Sequence, residues 1–241
     1  TGTEDVWIGA KNTTDNTNSY ITFIIPSIGR DTLSFSIESL LKQNNPKWKC
    51  IVIFDGIEKN IAIKDERIQY FEIEKTKGVI NQASDVRNYG IQKANTEWIA
   101  FLDDDDTITD DYVEIFYQEQ KIFDFDIYIF RMLMDKRIIP AYDCFDIKAA
   151  DVGISFVCHR KIFDIISFEN SHTEDFDFLN KASIKKCKII ISNTIKYFVK
   201  KNICDIEFKN DLKINDLPLY NKIFINCLNP YLFYSLLQEI V

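Results

Sequence analysis

Trp98-Ile99-Ala100-Phe101-Leu102-Asp103-Asp104-Asp105-Asp106 is the stretch that decides the fold of this 241-residue chain. Its five apolar residues predict a buried strand, and its four acids follow where that strand ends. Adjacent carboxylates repel one another, most strongly where they leave a buried strand. A divalent cation that prefers oxygen ligands, Mg²⁺ or Mn²⁺, would relieve this repulsion. A run of acids can also be a solvated turn with an Asp helix cap, so its place in the fold decides between the two.

Apolar strands alternate with amphipathic helices on both sides of this stretch. We predict further strands at Tyr20–Ile25, Trp48–Phe54, Ile68–Ile73 and Phe125–Leu133, and helices at Thr32–Gln43, Asn81–Ala94 and Asp111–Lys121. We expect Pro26 to stop the first strand. This alternation is typical of a mostly parallel sheet with helices on both faces, and ligands bind such sheets beyond the carboxyl ends of their strands. Asp55 follows the second strand as Asp103–Asp106 follow the fourth, so both are expected at one edge.

The second half of the chain has a less regular pattern. We predict strands at Gly153–Val157, Lys188–Ser192 and Thr194–Lys200, and helices at Lys161–Ile166 and Thr173–Ile184. The tail from Asn215 onwards predicts two helices broken at Asn229-Pro230. These patterns indicate a polar lead-in over residues 1–19, one α/β domain over residues 20–210 and a helical segment over residues 211–241.

Composition argues against several classes of protein. The net charge is −8, from 29 Lys and Arg against 37 Asp and Glu, which disfavours binding to nucleic acid or to an anionic membrane. No apolar run is long enough to predict a membrane-spanning helix, and the first residues lack the features of a signal peptide. The six cysteines include no closely spaced pair, so we expect reduced thiols and a cytoplasmic protein. The pattern does not predict an oligomeric state.

Six motifs occur in order along the chain. They are Ile24–Ser27, Ile37–Gln43, Phe54–Gly56, Gly78 with Val86–Ile91, Trp98–Asp106 and Glu174–Leu179. In this order and spacing they resemble the family 2 glycosyltransferases of the GT-A fold. The resemblance implies a Rossmann-like, mostly parallel sheet flanked by helices, with a small C-terminal helical appendage. It also implies metal-dependent transfer of a sugar from a nucleotide donor of the UDP-sugar type to a hydroxyl of a glycan or another acceptor, with inversion.

The same resemblance implies which residues contact the nucleotide-sugar. They are Pro26, Ser27, Asp55, Gly56, Arg87, Asn88, Asp103 and Asp104. Asp55 would accept a hydrogen bond from uracil, and Pro26 and Ser27 would line the pocket for the base and ribose. The usual pair of acids before the glycine is Phe54-Asp55 here, so one carboxylate of the family pattern is missing.

The resemblance also implies a metal site in the acidic run. Asp105, with Asp103, would bind the Mn²⁺ or Mg²⁺ that bridges the donor diphosphate. A bound cation would neutralise the charge that develops on the leaving nucleotide. Because the run has more acids than the family motif needs, Asp105 and Asp106 could exchange roles.

The helix Thr173–Ile184 carries the implied catalytic residues. By the resemblance, Asp175 would be the general base that takes the proton of the acceptor hydroxyl, with Glu174 beside it. The dipole at the start of a helix is expected to favour the ionised form of Asp175. First-turn acids after Thr173 are also ordinary helix-capping chemistry. One base and no evident nucleophile imply in-line displacement, hence inversion at the anomeric carbon.

Two alternatives stay open at this point. Asp103-x-Asp105-x-Thr107 after an apolar strand also fits the phosphatases of the haloacid dehalogenase class, in which the first Asp is a nucleophile. That class carries the motif on its first strand, whereas three strands precede it here. The other alternative is a catalytically dead relative that only binds sugar nucleotides. The joint presence of Asp55, Asp105 and Asp175 argues against it.

Overall fold

The computed structural model describes residues 19–58, 63–75, 83–144 and 146–199. The predictions for residues 1–18, for Gly78 and Asn81 and for residues 200–241 lie outside these ranges. The described strands are β1 (Ile21–Ser27), β2 (Trp48–Asp55), β3 (Ile68–Ile73), β4 (Trp98–Phe101), β5 (Thr107–Ile108), β6 (Ile127–Met134), β7 (Arg137–Ile139), β8 (Phe156–His159) and β9 (Ile189–Val199). The described helices are α1 (Leu33–Leu41), α2 (Ala83–Lys93), α3 (Tyr112–Ile122) and α4 (Glu174–Ile184), with a 3-10 helix at Arg160–Asp164.

Within the described residues, nine strands form one sheet in the order β3-β2-β1-β4-β8-β6-β9-β5, with β7 paired to β6. The strands β3, β2, β1 and β4 are parallel, as the alternation of strands and helices predicts. β8 is antiparallel to both β4 and β6, whereas β6 and β9 are parallel. The sheet is therefore parallel in its first half and mixed in its second, so the prediction of a mostly parallel sheet describes only the first half.

The parallel half forms the centre of the core. β1, β2 and β4 are almost entirely buried, which explains their continuous apolar sequences. α2 approaches this half closely at Gly90, where an added Cβ would lie 2.6 Å from a side-chain atom of Ile24 and 2.8 Å from one of Ile53. Because α2 connects the parallel strands β3 and β4, it runs antiparallel to them. Its first turns, including Arg87, therefore lie at the carboxyl edge of the sheet.

The first strand does not stop at Pro26, contrary to the prediction. β1 continues to Ser27, and both residues keep their register with β2. Proline has no backbone N–H, so in a strand with a neighbour on each side it usually leaves one hydrogen bond of the sheet unmade. The carbonyl of Ile24 faces β4, where it accepts from the N–H of Leu102, so the nitrogen of Pro26 faces the same side. The β4 pairing ends at Ile24, and no ladder bond is lost there.

The second half differs more from the prediction. The two strands predicted over residues 188–200 are one strand, β9, whose register with β6 shifts on either side of Arg131. The strand predicted at Gly153–Val157 begins three residues later as β8. β5 and β7 are too short for a periodic pattern and were not predicted. In the part of the chain that the structure describes, no helix is long and apolar enough to cross a membrane.

Candidate active site

The carboxyl ends of β1, β2 and β4 lie at one edge of the sheet, as predicted. Ser27 ends β1, Asp55 ends β2, and Asp103–Asp106 follow β4. The hydroxyl of Ser27 donates to Asp104 Oδ2 at 2.8 Å, which joins the first and fourth strands directly. α2 contributes Arg87 to the same edge. We refer to this edge, with the first turn of α4, as the candidate site.

The four acids after β4 have two different environments. The side chains of Asp103 and Asp105 are 33% and 34% exposed, whereas that of Asp104 is only 1% exposed and Asp106 is buried. We call Asp103 and Asp105 the open acids, and Asp104 and Asp106 the buried acids. The alternation means that only every second carboxylate of the run faces the solvent edge.

Asp104 uses both of its carboxylate oxygens within the protein. Oδ2 accepts from the hydroxyl of Ser27 at 2.8 Å and from the N–H of Ile28 at 3.2 Å. Oδ1 accepts from the guanidinium of Arg30. These contacts tie the end of β4 to the loop after β1. The predicted contact of Asp104 with the ribose stays a prediction, but in this arrangement the carboxylate orders the loop that carries Ser27.

Asp106 is the other buried acid. Its Oδ2 accepts from the hydroxyl of Tyr197 on β9 at 2.7 Å, and its carbonyl accepts from the hydroxyl of Ser36 on α1 at 2.6 Å. The hydroxyl oxygen of Tyr197 also accepts from the N–H of Asp103 at 3.2 Å. Of the two acids that could exchange roles, Asp105 is therefore the one with an open carboxylate.

The open acids fit a divalent cation that is shared with a substrate. Partial burial raises the pKa of Asp105, the charges of Asp103 and Asp104 raise it further, and Arg30, 3.7 Å away, opposes the rise. A cation beside Asp105 would relieve this repulsion. No cluster of three or more His, Cys, Asp or Glu side chains among the described residues is arranged to hold a metal. Mg²⁺ is commonly bound by one or two carboxylates plus substrate phosphates, and two open carboxylates meet that requirement.

Arg87 lies at the centre of the candidate site and is 3% exposed. Its Nη2 donates to Asp103 Oδ1 at 2.7 Å, and its Nη1 donates to Glu174 Oε1 at 3.0 Å. Nη1 also lies 3.9 Å from Asp175 Oδ1. Burial acts to lower the pKa of Arg87, but the charges of the three acids outweigh it and raise the pKa. The predicted contact of Arg87 with the donor stays a prediction. In this structure the guanidinium is buried and ion-paired with the acids of the site.

Asp175 has one inner and one outer oxygen. Oδ1 is buried without a hydrogen-bond partner among the described residues, while the side chain as a whole keeps 23% exposure. Burial raises the pKa of Asp175 to about 7, against the opposing charge of Arg87, and the charges of Glu174 and Asp103 add to the rise. The net shift of the pKa is thus opposite to the one expected from the helix dipole, and burial is its largest cause. A pKa near neutral is well matched to a general base.

Asn88 forms a two-sided clamp on a neighbouring loop. Its side-chain nitrogen donates to the carbonyl of Phe168 at 2.9 Å, and its side-chain oxygen accepts from the N–H of Phe168 at 3.1 Å. The predicted donor contact of Asn88 stays a prediction, since in this arrangement the amide holds the loop that leads into α4. The ring of Phe168 lies 5.7 Å from the guanidinium of Arg87.

Asp55 and Gly56 lie at the end of β2, beside Lys75. Asp55 is buried, and its Oδ2 accepts from Lys75 Nζ at 3.1 Å. Gly56 has a φ of +69°, and an added Cβ would lie 2.4 Å from Lys75 Cβ and 2.8 Å from its Cα. Only glycine fits this backbone and this close approach. Lys75 therefore neutralises the acid that is predicted to meet the uracil.

Residues 22–137 match the protein family described as glycosyl transferase family 2. These residues, just under half of the chain, are a glycosyl transferase family 2 domain. The matched residues include Arg87 and the four acids after β4, whereas Glu174 and Asp175 lie beyond them. The phosphatase alternative loses its basis, because the domain is of another family and its required nucleophile, Asp103, is ion-paired with Arg87.

Curated members of the family resemble the chain over part of its length. An uncharacterized glycosyltransferase of Rickettsia bellii is 37% identical over 102 residues, which are 39% of this chain and 14% of that protein. The Escherichia coli protein WfgD, named UDP-Glc:alpha-D-GlcNAc-diphosphoundecaprenol beta-1,3-glucosyltransferase, is 36% identical over 92 residues, 36% of this chain and 35% of that protein. The matched part of the chain thus spans about a third or less of the length of these two relatives.

Solved structures resemble the glycosyltransferase domain in fold. The crystal structure of Staphylococcus aureus TarS 1–349 has a TM-score of 0.60 at 16% identity, covering 85% of this chain and 68% of that one. The same protein in complex with UDP-GlcNAc has a TM-score of 0.56 at 15% identity, covering 76% of this chain and 59% of that one. These likenesses establish the GT-A fold, a mixed α/β sheet flanked by helices.

Three residues of the candidate site were missed by the sequence analysis. They are Arg30, Lys75 and Tyr197, each of which binds one of the acids of the site. Arg30 and Lys75 follow the first and third strands, so charge at a strand end could have identified them. Tyr197 lies 91 residues from Asp106 on a strand of the mixed half, and no local pattern relates the two.

Proposed function

We propose that this chain transfers a sugar from a nucleotide-sugar donor of the UDP-sugar type to a hydroxyl acceptor. One observation carries the proposal: at one sheet edge, Arg87 joins an open acid suited to a donor-bound cation, Asp103, to a carboxylate suited to a general base, Asp175. The family supports the reaction class. The name of the E. coli relative and the UDP-GlcNAc complex of TarS support UDP as the nucleotide.

Asp105 and Asp103 are proposed to hold Mn²⁺ or Mg²⁺ against the donor diphosphate. When bound, the cation would neutralise the charge that develops on the leaving UDP. The carboxylates contribute their negative charge and fix where the diphosphate lies. Asp55 and Gly56 would line the pocket for the uracil of the donor, and Asp104 holds Ser27 in place beside it.

Asp175 is proposed to take the proton of the acceptor hydroxyl through its outer oxygen. The hydroxyl oxygen forms a bond to the anomeric carbon as the bond from that carbon to UDP breaks, and the proton passes to Asp175. Glu174 is bound to Arg87 and is not available as a second base. One base and one displacement give inversion, which NMR of the product linkage would test by reporting the anomeric configuration.

The experiment that tests the donor and the metal together is UDP release and UDP binding with and without Mn²⁺. We expect the wild-type protein to release UDP from at least one UDP-sugar only when Mn²⁺ is present. Asp105→Ala should lower the Mn²⁺-dependent affinity for UDP by at least about tenfold in calorimetry, because a charged metal ligand is lost. Asp110→Ala, which removes an exposed acid a few residues away, is the matched control and should leave the affinity unchanged.

Unchanged UDP affinity in Asp105→Ala would contradict the metal assignment. Tight UDP binding without UDP release from any donor would favour the binding-only relative instead. Turnover of p-nitrophenyl phosphate in place of UDP-sugars would contradict the reaction class.

A further inference from the structure

Arg87 is a buried cation shared by acids from two other elements. The guanidinium on α2 donates to Asp103, which follows β4, at 2.7 Å and to Glu174 on α4 at 3.0 Å. Asp175, next to Glu174, lies 3.9 Å from the same guanidinium. Each arm of the guanidinium thus points at a different part of the proposed reaction: one at the donor side and one at the base.

Among the residues that the structure describes, Arg87 is the one cation in contact with these acids. Within the ranges that the structure describes, no other Lys, Arg or His nitrogen lies within 4.0 Å of the carboxylates of Asp103, Glu174 or Asp175. Glu174 is 10% exposed, and a buried carboxylate without a partner is costly, so its position depends most on this one side chain. Asp103 and Asp175 are partly exposed and have the same guanidinium as their ion-pair partner among the described residues. Moving the guanidinium toward one acid must move it away from the others.

We propose that Arg87 is a positioning residue that couples the donor-side acid Asp103 to the base Asp175. The proposal rests on the proposed function for the roles of these two acids. Arg87 is too buried to meet the substrate, so it acts through the carboxylates that it holds. A planar guanidinium spans two carboxylates at fixed distances, which an ammonium group does not. The planar fork therefore sets the separation between the donor and the base.

Arg131 offers a matched control within the same chain. It is also almost fully buried, at 1% exposure, but its guanidinium donates to the carbonyls of Pro140 and Ala141. Among the described residues, no Asp or Glu oxygen lies within 4.0 Å of it. Loss of a buried guanidinium is thus common to Arg87→Lys and Arg131→Lys, whereas loss of the bridge between acids occurs only in the first.

The first test compares steady-state kinetics of these two variants. Arg87→Lys keeps the charge, and we expect kcat to fall by about 10- to 100-fold, because misplacement of about 1 Å can cost about 100-fold. The KM for the donor should stay within about threefold. Arg131→Lys should lower the melting temperature and leave kcat close to wild type when assayed below that temperature. A kcat for Arg87→Lys within twofold of wild type, or equal losses in both variants, overturns the proposal.

The second test measures coupling without turnover. Glu174→Gln removes one carboxylate that shares the guanidinium, so Arg87 should attract Asp103 more strongly and compete better with the cation. We expect the Mn²⁺-dependent affinity for UDP to weaken by about threefold, and this response to vanish in the Arg87→Lys background, as in a double-mutant cycle. Equal responses in both backgrounds overturn the proposal. A wild-type protein that binds UDP but never releases it from a donor contradicts the proposed function alone, since the cycle still measures the coupling.

Discussion

Asp104 and Asp105 are neighbours in the chain, yet their carboxylates have opposite surroundings. Asp104 is buried and accepts from Ser27, the N–H of Ile28 and Arg30, whereas Asp105 is about one-third exposed and, among the described residues, has Arg30 at 3.7 Å as its one ion-pair partner. In exposure the same contrast separates the buried Asp106, bound to Tyr197, from Asp103, which stays one-third exposed although it is ion-paired with Arg87. A run of identical residues thus divides between fold and chemistry, because the turn that these residues form, closed by the N–H of Asp106 and the carbonyl of Asp103 at 3.1 Å, gives neighbouring carboxylates different surroundings. The predictions below test this division.

The largest expected effect is the loss of turnover when Asp175, the proposed base, is replaced. Asp175→Asn keeps the shape of the side chain but cannot accept the proton of the acceptor, so turnover should fall by about 10²- to 10⁴-fold. Calorimetric affinity for UDP with Mn²⁺ should change by no more than about threefold, since Asp175 reaches the donor side only through Arg87. Steady-state kinetics and calorimetry on the same sample check both parts.

Asp177→Asn is the matched control for that change. Asp177 is two residues further along α4 and accepts from the hydroxyls of Ser171 and Thr173 at its start. Asp177 shares the first turn of α4 with Asp175, but its carboxylate binds Ser171 and Thr173 and is not ion-paired with Arg87. Asp177→Asn loses the same charge, and its turnover should stay close to wild type. Near-normal turnover of Asp175→Asn would remove Asp175 as the base, and an equal loss in both variants would assign the effect to the helix.

The next prediction compares how replacing Asp104 and replacing Asp105 change the free energy of unfolding. Asp104→Ala leaves the hydroxyl of Ser27 and the N–H of Ile28 without this acceptor, and it removes the carboxylate that the exposed Arg30 binds. Leaving two buried donors unpaired costs about 2–4 kcal/mol of the free energy of unfolding. Asp105→Ala removes an open carboxylate and should stay within about 0.5 kcal/mol of wild type. Urea unfolding of both variants measures the difference, and similar values for the two would abolish the distinction between buried and open acids.

The parallel half of the fold could be predicted from the sequence, and the mixed half could not. β2 and β4 were predicted within one residue, because a strand buried on both faces is a short apolar run. The edge strand β3 was predicted over Ile68–Ile73, the bounds that it has, from its alternating pattern. Asp55 and the acids after β4 were predicted at the same sheet edge, because the carboxyl ends of parallel strands lie at one edge. Strand β9 was split in two, because Ser192 and Thr194 resemble a turn when read without the partner strand β6.

The composition of the site could be predicted from the sequence better than its connections. The acids were found because carboxylates at strand ends are a local pattern. The division of the four acids depends on Ser27, Arg30 and Tyr197, which lie 74 to 91 residues away from the acids that they bind. Burial of Asp175 likewise arises from packing around α4. A helix position alone predicts an ionised acid, whereas the packing raises the pKa.

The smallest expected effect is a pH dependence that separates Asp175 from an ordinary exposed aspartate. Burial raises the pKa of Asp175 to about 7, and a base must be ionised to take a proton. Turnover at saturating substrates should therefore rise with pH through about 7, by about tenfold between pH 6 and pH 8, as the deprotonated fraction of a single group rises. The measurement of kcat uses fixed ionic strength and saturating Mn²⁺ at each pH, so that Mn²⁺ stays bound to the open acids throughout. A midpoint near pH 4 would mean that the carboxylate titrates as though exposed, and the buried inner oxygen would then have no part in tuning the base.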